Sequence, residues 1–438
     1  MLTRLQIKNY KSLAEIEIHL KPLSVLFGPN SAGKSNFLDA LQLLSQIATS
    51  RTLKEAFSPP YRGAPLESFT FGPRGIRGLL EQETANFSLE VDVELSPWVV
   101  SSVNQQIREM RAPKGESPEG KGSRSEQLAS VKERFLRYRI DIEILPKSGI
   151  LRVADEYLAA LNSKGQPTAR RNPFIGRVKD RLHLRMEGQA HPTYFERYLD
   201  HSILSKPHYP PHYPHLVAMQ QELSSWLFFY FEPRERMRRP TPVKEVHHIG
   251  LMGEELASFL NTLKALDEPQ FRAIEKSLRM IIPSASGISI DVNDLGEVEL
   301  KLIEGGIPIP ARVLSEGTLR VLGLLALGGA KEPPSLLGFE EPENGIHPRR
   351  IRLIAELLQA RAATGATQLI VTTHSPTLLD LMPEDSLFVF RKREGRTEIK
   401  AFDTWGPLGR KSDTESALDD EELPLPVSQL LLRGDLDD

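Results

Sequence analysis

The most constraining feature of this sequence is an uninterrupted phosphate-loop pattern. Residues 28–35 read Gly-Pro-Asn-Ser-Ala-Gly-Lys-Ser, which matches G-x-x-x-x-G-K-[ST] without a gap. A compact apolar run, Leu23 to Phe27, precedes the pattern, and apolar residues at helical spacing follow it from Phe37 to Ile47. A glycine-rich loop between a strand and a helix presents backbone N–H groups to phosphate, and the helix N-terminus adds partial positive charge. We therefore expect a strand, a phosphate-binding loop and a helix in this order.

The side chains of this loop predict the ligand. Lys34 would reach the β and γ phosphates of a nucleotide, and Ser35 would offer a hydroxyl to Mg²⁺. We therefore predict ATP and Mg²⁺ as ligands and count Lys34 among the catalytic residues. The predicted nucleotide-binding residues of this segment are Gly28, Asn30, Ser31, Ala32, Gly33, Lys34, Ser35 and Asn36.

Two carboxylates end a later apolar strand. Leu336 to Phe339 has the composition of a buried strand and runs into Glu340 and Glu341. Successive strand residues point to opposite faces, so these two side chains should have different tasks. We assign Glu340 to Mg²⁺ coordination and Glu341 to polarising the attacking water. An isolated Glu-Glu pair would usually be two solvated acids, and the phosphate loop upstream favours the catalytic interpretation.

Two further elements complete the predicted site. His374 follows the apolar strand Gln368 to Val371, and we expect it to sense the γ-phosphate at the edge of a parallel sheet, where ligands gather. Ser315 and Gly317 belong to Leu-Ser-Glu-Gly, which opens an apolar segment and favours a helix N-cap. Such a helix N-terminus is also an anion site, and it need not serve the phosphate bound in its own chain.

These four elements, in this order, resemble the Walker A, signature, Walker B and switch-histidine motifs of ATP-binding-cassette (ABC) ATPases. The opening Ile7-Lys8-Asn9-Tyr10-Lys11-Ser12 is similar to that of RecF, SMC and OLD-type ATPases. Residues 339–348, Phe-Glu-Glu-Pro-Glu-Asn-Gly-Ile-His-Pro, resemble Walker B of OLD-like AAA-type ATPases without a Toprim domain. Glu340 stands where an Asp is commoner in the wider class.

The resemblance implies an α/β fold, an ABC-type P-loop NTPase head whose mixed or parallel sheet is flanked by helices. It also implies ATP hydrolysis and a head dimer that encloses two ATP molecules. Walker A of one copy would then face Ser315 and Gly317 of the other copy. Gln82 is our candidate for the family's metal-binding glutamine between the lobes.

Patterning divides the 438 residues into a discontinuous head and an insertion. We predict head segments at 1–98 and 245–405, an inserted, mainly helical lobe at 99–244, and an acidic tail at 406–438. The insertion carries a basic stripe, Lys164 to Arg185, which is either a DNA phosphate contact or a solvated basic face. Its histidines, His208, His212 and His215, are interpreted as a Pro-rich turn in preference to a metal site.

Composition excludes several function classes. The chain has no cysteine, so disulfides, thiolate nucleophiles and zinc–cysteine sites are excluded. A net charge of −3 argues against a uniformly basic nucleic-acid binder. No apolar run is long enough to span a bilayer, and we expect a cytoplasmic protein without a membrane partner.

The resemblance also predicts a partner. OLD proteins carry a Toprim nuclease after the ATPase, and no matching α/β unit follows His374. We therefore expect an effector encoded nearby, a nuclease or a toxin. ATP-dependent head dimerisation would sense or clamp DNA and control this effector in anti-phage defence or DNA repair. The alternative is an ATP-ordered homo-oligomeric scaffold that sequesters an effector without binding DNA. A transporter ATPase subunit is disfavoured by the SMC-like opening and the basic insertion.

Overall fold

The computed structural model describes residues 1–59, 61–111, 130–169, 171–187, 192–196, 198–329, 333–402 and 426–433. The chain divides into two compact units. The first comprises residues 1–21, 36–226 and 392–398, and the second comprises residues 22–35, 227–391 and 399–438. Most of the predicted acidic tail lies outside the described residues. No helix in the described part of the chain is long and apolar enough to cross a membrane.

The strands are short to medium in length and occur in both units. They are β1 (Leu2–Tyr10), β2 (Leu13–His19), β3 (Leu23–Phe27), β4 (Ala85–Glu94), β5 (Phe135–Leu145), β6 (Ile150–Ala160), β7 (Ile175–Val178), β8 (Arg181–Leu184), β9 (Thr193–Phe195), β10 (Trp226–Phe229), β11 (Thr241–Pro242), β12 (Ala285–Val292), β13 (Glu297–Glu304), β14 (Ile307–Pro310), β15 (Leu336–Glu340), β16 (Gln368–Thr373), β17 (Leu387–Arg393) and β18 (Arg396–Ala401).

The helices include the one that follows the phosphate loop. They are α1 (Lys34–Thr49), α2 (Leu53–Ala56), α3 (Gly75–Leu80), α4 (Pro97–Arg111), α5 (Pro214–Ser224), α6 (Leu256–Leu266), α7 (Glu268–Ile281), α8 (Glu316–Ala326), α9 (Pro348–Ala363), α10 (Pro376–Asp380) and α11 (Val427–Arg433).

The first unit is built on an eight-stranded sheet with the order β2-β1-β4-β5-β6-β7-β8-β9. Every pair of neighbouring strands in this sheet is antiparallel. On β5 every second residue from Leu136 to Ile144 is buried. This alternation is typical of an antiparallel sheet that packs one face on a core and leaves the other partly solvated.

The prediction of a mainly helical lobe at 99–244 is wrong. Strands contain more of the residues there than helices do, and β5 pairs with β4 from Phe135 to Ile144. The physical reason is the period-two alternation of apolar residues along β5 and β6, which favours strands once β4 offers a hydrogen-bonding edge. The predicted boundary at residue 98 therefore falls inside the unit that this sheet organises.

The second unit has the predicted α/β arrangement. Its six-stranded sheet has the order β10-β15-β16-β3-β17-β18, and β15, β16, β3 and β17 run parallel. Every residue of β3 and β16 is buried, as expected for strands covered on both faces. Thr372 lies level with Glu340 on one side and with Leu26 on the other. The carboxyl ends of β15, β16 and β3 therefore meet at one edge of the sheet.

A second sheet, with the order β11-β13-β12 and β14 paired to β13, completes this unit. Helix α7 contacts β12, α6 and α8. Leu260, Leu278, Leu302 and Leu319 are fully buried in one apolar cluster that also includes Phe27 of β3. The cluster thus holds α8, which begins at Ser315, in the same unit as the strands that end at the predicted site.

A buried phenol in the first unit predicts alkaline sensitivity. The Tyr61 hydroxyl bonds to Tyr10 (2.8 Å) and to Ser68, and burial raises the pKa of Tyr61 to about 12 against the opposing hydrogen bonds. Because the unfolded phenol ionises near pH 10, its contribution to stability is complete below pH 10 and is lost as pH rises towards 12. We expect Tyr61→Phe to reduce the alkaline loss of unfolding free energy by up to about 2 kcal/mol. Denaturant unfolding of both proteins at pH 9 and pH 11 measures this loss. An equal loss of unfolding free energy in the wild type and in Tyr61→Phe would contradict the prediction.

Candidate functional site

The phosphate loop joins β3 to α1 as predicted. Its backbone passes through three residues with positive φ, namely Gly28 (141°), Ser31 (63°) and Gly33 (106°). The N–H of Ala32 bonds to the carbonyl of Pro29 at 3.3 Å and closes a tight turn. Glycine adopts positive φ without steric cost, which explains two of these three positions. Such a curl of successive backbone N–H groups is the general form of an anion-binding nest.

Position 28 admits no side chain. A Cβ built on Gly28 would lie 2.1 Å from the carbonyl oxygen of Phe390. The cause is the parallel pairing of β17 with β3, which places Val389 level with Phe27. Glycine is therefore required here both by backbone conformation and by the close approach of the neighbouring strand.

Lys34, the first residue of α1, folds back into the loop. Its side chain is 6% exposed, and its Nζ donates to the carbonyls of Gly28 and Pro29, each at 2.9 Å. Burial lowers the pKa of Lys34 to about 8, while the carboxylates of Glu341 and Glu340 oppose this change. An ammonium has three donors, so this one can bind a phosphate oxygen without leaving the loop entirely. A desolvated cation of this kind interacts strongly with an incoming anion.

The two carboxylates both act on Lys34, so the alternation argument made from the sequence does not separate them. Glu340 is the last residue of β15, but Glu341 lies beyond the strand with a φ of +46°. Strand alternation therefore stops before Glu341. The side chains still have different partners, since Oε2 of Glu341 accepts from Nδ2 of Asn344 at 3.3 Å. The backbone N–H of Glu341 donates to the carbonyl of Thr372 at 2.9 Å and ties the turn to β16.

His374 follows β16 directly and approaches Glu341. Its Nε2 lies 3.7 Å from Oε1 of Glu341, and both side chains are more than a third exposed. Burial and the charge of Lys34 lower the pKa of His374, while Glu341 opposes this. The imidazole is therefore neutral at pH 7, and it can donate one N–H to an anion.

The donor set suits Mg²⁺. Ser35 lies in the first turn of α1 with an exposed side chain, and Glu340 is half-buried. Both supply hard oxygen ligands, and Mg²⁺ in nucleotide sites takes one or two protein oxygens together with substrate phosphates. In the described ranges, no group of three or more His, Asp or Glu side chains could hold a metal ion. Ser35 and Glu340 thus fit a shared site with a nucleotide better than a dedicated protein cage.

Ser315 caps helix α8, as the sequence predicts. Its hydroxyl accepts from the N–H of Thr318 at 3.1 Å, and its side chain is exposed. Gly317 is buried, and a Cβ there would lie 2.2 Å from the carbonyl oxygen of Gly345. This glycine is therefore required for α8 to pack against the turn that follows β15, and Ser315 remains open at the helix N-terminus.

Arg238 holds the segment that leads into Ser315. Its guanidinium donates to three backbone carbonyls, those of Pro233 (2.9 Å), Arg312 (2.7 Å) and Leu314 (2.8 Å). Arg238 was not among the residues predicted to form the site. Its spacing from Ser315 gave no signal of the contact, which joins residues more than seventy positions apart.

The remaining predicted site residues lie in the first unit. Gln82 is exposed in the turn between α3 and β4, and its N–H donates to the carbonyl of Leu79 at 3.1 Å. Asn36 donates from Nδ2 to the hydroxyl of Ser12 at 2.8 Å, within the N-Y-K-S segment that opens the chain. The roles of Gln82 and Asn36 stay predictions.

The basic segments differ in how far they are neutralised. Arg177, Lys179 and Arg181 are exposed on the β7–β8 hairpin, whereas Arg171 pairs with Glu187 at 3.4 Å; Arg170 of the stripe lies outside the described residues. A second basic cluster lies at residues 234–244, and each of its exposed basic side chains forms an ion pair. These pairs are Arg234–Glu316, Arg236–Glu232, Arg239–Glu235 and Lys244–Glu255.

The histidines of the Pro-rich segment have separate structural partners. His208 bonds through Nε2 to the carbonyl of Ile203 at 2.8 Å. His215 is fully buried, with Nδ1 at 2.8 Å from the carboxylate of Glu187 and Nε2 accepting from the N–H groups of Lys132 and Glu133. This arrangement agrees with the turn interpretation.

Two buried residues near His374 were missed as functional candidates. Glu343 is 8% exposed, and the hydroxyl of Thr373 donates to its Oε1. Glu343 was visible in the sequence only as part of the Walker B resemblance. Its partner lies thirty positions away, and local pattern carries no signal of that contact.

Comparisons with known proteins agree with this geometry. The model of the family described as "AAA domain, putative AbiEii toxin, Type IV TA system" matches residues 23–380. The OLD nuclease of Thermus scotoductus is 24% identical over 413 residues, which cover 91% of this chain and 64% of that protein. The DNA replication and repair protein RecF of Nitrosococcus oceani is 28% identical over 121 residues, which cover 24% of this chain and 33% of that protein. The chain thus spans less than two thirds of the length of these relatives.

Among solved structures, the SMC head bound to the C-winged helix domain of ScpA has a TM-score of 0.50 with this chain. The sequences are 11% identical, and the match covers 91% of this chain and 96% of that one. At this identity the likeness concerns the fold.

Proposed function

Because this chain belongs to the AAA-domain family and is an ABC-type P-loop ATPase of the RecF, SMC and OLD group, we propose for it an ATP-driven dimerisation cycle. In this cycle ATP and Mg²⁺ bind at the phosphate loop, and ATP joins two copies of the chain. Hydrolysis then separates the copies. The dimer senses or clamps DNA and controls an effector protein, a nuclease or a toxin, in anti-phage defence or DNA repair.

One observation carries the proposal. A desolvated Lys34 ammonium lies inside the phosphate loop, and the carboxylates of Glu340 and Glu341 act on it from the end of β15. A phosphate chain neutralises such a cation, while the two acids supply the metal ligand and the base that hydrolysis needs. A loop that served only as a structural turn would not require two acids from the end of a distant strand to act on its lysine.

The roles of the residues follow from their positions. Lys34 and the loop N–H groups bind the β and γ phosphates, and Ser35 with Glu340 would hold Mg²⁺. The metal, when bound, neutralises developing charge on the phosphate oxygens. Glu341 accepts the proton of the attacking water, and the neutral His374 donates an N–H to the γ-phosphate. Asn344 keeps Glu341 oriented through its bond to Oε2.

Ser315 supports a site shared between two copies. Its hydroxyl and the positive N-terminus of α8 form an exposed anion-binding surface, and the segment before them is held by Arg238. We assign this surface to the ATP of a second copy. Charge and hydrogen bonds to ATP then hold the dimer together, so its assembly follows the nucleotide state.

A mixing experiment tests the shared site. Lys34→Ala and Ser315→Arg are each expected to be inactive, but a heterodimer of the two has one composite site with both wild-type elements. An equimolar mixture should therefore regain about one quarter of the wild-type ATPase rate, since half of the dimers are mixed and each has one intact site. A mixture that stays as inactive as its components would contradict a shared site.

The ion pairs of the exposed basic cluster favour a second candidate function, one that does not involve DNA. Arg234, Arg236, Arg239 and Lys244 each face a glutamate, which weakens the case for a DNA surface there. The alternative is a scaffold that stores an effector without DNA. DNA affinity measured against salt concentration separates the two, because a phosphate-contacting clamp gives a steep negative slope and a scaffold gives none.

A further inference from the structure

We propose that Glu343 is a positioning residue that holds the turn carrying His374 and thereby sets the direction of its imidazole. The inference rests on the proposed function, since it acts through the phosphate-sensing role of His374. It assigns to this acid a task separate from those of Glu340 and Glu341.

Glu343 contacts the end of β16 from the turn that follows β15. Its side chain is 8% exposed, and Oε1 accepts from the hydroxyl of Thr373, which is fully buried. The backbone N–H of His374 opposes the rise in the pKa of this carboxyl, which places it near the same carboxylate. The observed hydrogen bond to Glu343 is therefore the one from Thr373, the residue directly before His374.

The bond network continues on the other side of His374. The N–H of Ser375 donates to Oγ1 of Thr373 at 2.9 Å, and Ser375 caps α10 by accepting from the N–H of Leu378. The peptide unit after His374 is thus tied to Glu343 through the Thr373 hydroxyl. Because a peptide unit is planar, holding it restricts the ψ angle of His374.

The imidazole depends on this backbone for its direction. Its Nε2 lies 3.7 Å from Oε1 of Glu341, which is longer than a hydrogen bond. The pair with Glu341 therefore orients His374 only weakly. The turn that bears Glu343 also orients Glu341, because Asn344 donates its backbone N–H to the carbonyl of Glu341 at 3.0 Å and its side-chain amide to Oε2. One short turn after β15 thus aligns both side chains that face the γ-phosphate.

The second oxygen of Glu343 argues for a functional reason to keep the acid. Oε2 is buried and has no hydrogen-bond partner among the described residues. Burying an unpaired carboxylate oxygen costs free energy, and burial accordingly raises the pKa of Glu343. Stability alone would favour a residue that pairs both polar atoms or none.

Steady-state kinetics with ATP test the proposal. We expect Glu343→Ala to lower kcat roughly ten- to a hundredfold with KM for ATP within about twofold, because the imidazole is misdirected while the phosphate loop is intact. Glu343→Gln keeps a carbonyl acceptor and should retain most activity. Thr373→Val removes the hydroxyl at nearly constant volume and should reproduce the Glu343→Ala defect, whereas Thr373→Ser should not. Glu356→Ala, on the exposed face of α9, is the matched control.

A double-mutant cycle with His374→Ala separates positioning from general stabilisation. If Glu343 acts through His374, then Glu343→Ala should lower kcat no further in a chain that already lacks the imidazole. An additive loss, or an equal loss for Glu343→Gln and Glu343→Ala, overturns the proposal. So does a Thr373→Val protein with wild-type kcat.

Different results would contradict the proposed ATPase cycle and the positioning role of Glu343. If Lys34→Ala leaves ATP binding intact, the ATPase cycle itself is wrong. If Lys34→Ala no longer binds ATP, but the effects of Glu343→Ala and His374→Ala on kcat are additive, only the positioning role of Glu343 is wrong.

Discussion

Replacing Glu341 by Gln is expected to stop hydrolysis while ATP still binds, so that the protein accumulates as an ATP-bound dimer. The amide keeps the size and the hydrogen bond from Asn344, but it cannot accept a proton from water. Removing a general base lowers the rate by roughly a hundredfold or more. Single-turnover phosphate release measures the chemical step, and light scattering with and without ATP measures the dimer.

Glu356→Gln is the control for this variant. Glu356 is also a glutamate of the second unit, but it pairs with Arg352 on an exposed face of α9. It should keep the wild-type rate and remain monomeric after ATP is consumed. Wild-type turnover by Glu341→Gln would mean that another group activates the water.

Replacing Lys34 by Ala is expected to remove ATP binding. The substitution deletes the ammonium that lies inside the phosphate loop, and hydrogen bonds to charged groups contribute roughly 1.5–3 kcal/mol each, or about 10- to 150-fold in affinity. ATP-dependent dimerisation should be lost with it. Equilibrium binding of a fluorescent ATP analogue measures the change.

Stability should not fall in the same variant. Burial lowers the pKa of Lys34 to about 8, so the ammonium stays mostly charged at pH 7 but its burial destabilises the folded protein. Its removal should leave the thermal unfolding midpoint unchanged or raise it. Lys276→Ala, at an exposed position of α7, is the matched control. Unchanged ATP affinity in Lys34→Ala would refute the assignment of the loop.

The strand, loop and helix around the phosphate site were predictable because their signals are local. Gly28 and Gly33 stand where the backbone needs positive φ, and the apolar runs on either side have the period of the element that forms. Ser315 was predictable as a cap for the same reason, since its partner Thr318 lies three residues on. Each of these features depends on contacts within one turn of chain.

The sheet of the first unit was harder to predict from the sequence. The residues of β5 and β6 alternate in polarity, but their strand conformation depends on pairing with β4, whose nearest end lies about forty residues earlier. A long intervening segment with helical and loop-like stretches obscured that period. The prediction of a mainly helical insertion was wrong for this reason.

The sequence alone determined the conformation of the phosphate loop, because short-range sterics and hydrogen bonds control it. It also identified the two acids and the histidine as candidate site residues. The meeting of Lys34 with Glu340 and Glu341, and of Glu343 with Thr373, follows from the order β15-β16-β3. Parallel pairing brings the ends of distant strands to one edge, and no local pattern encodes which ends will be neighbours. The positive φ of Glu341 ends the strand alternation before this residue, so the period of β15 does not fix the face that its side chain takes.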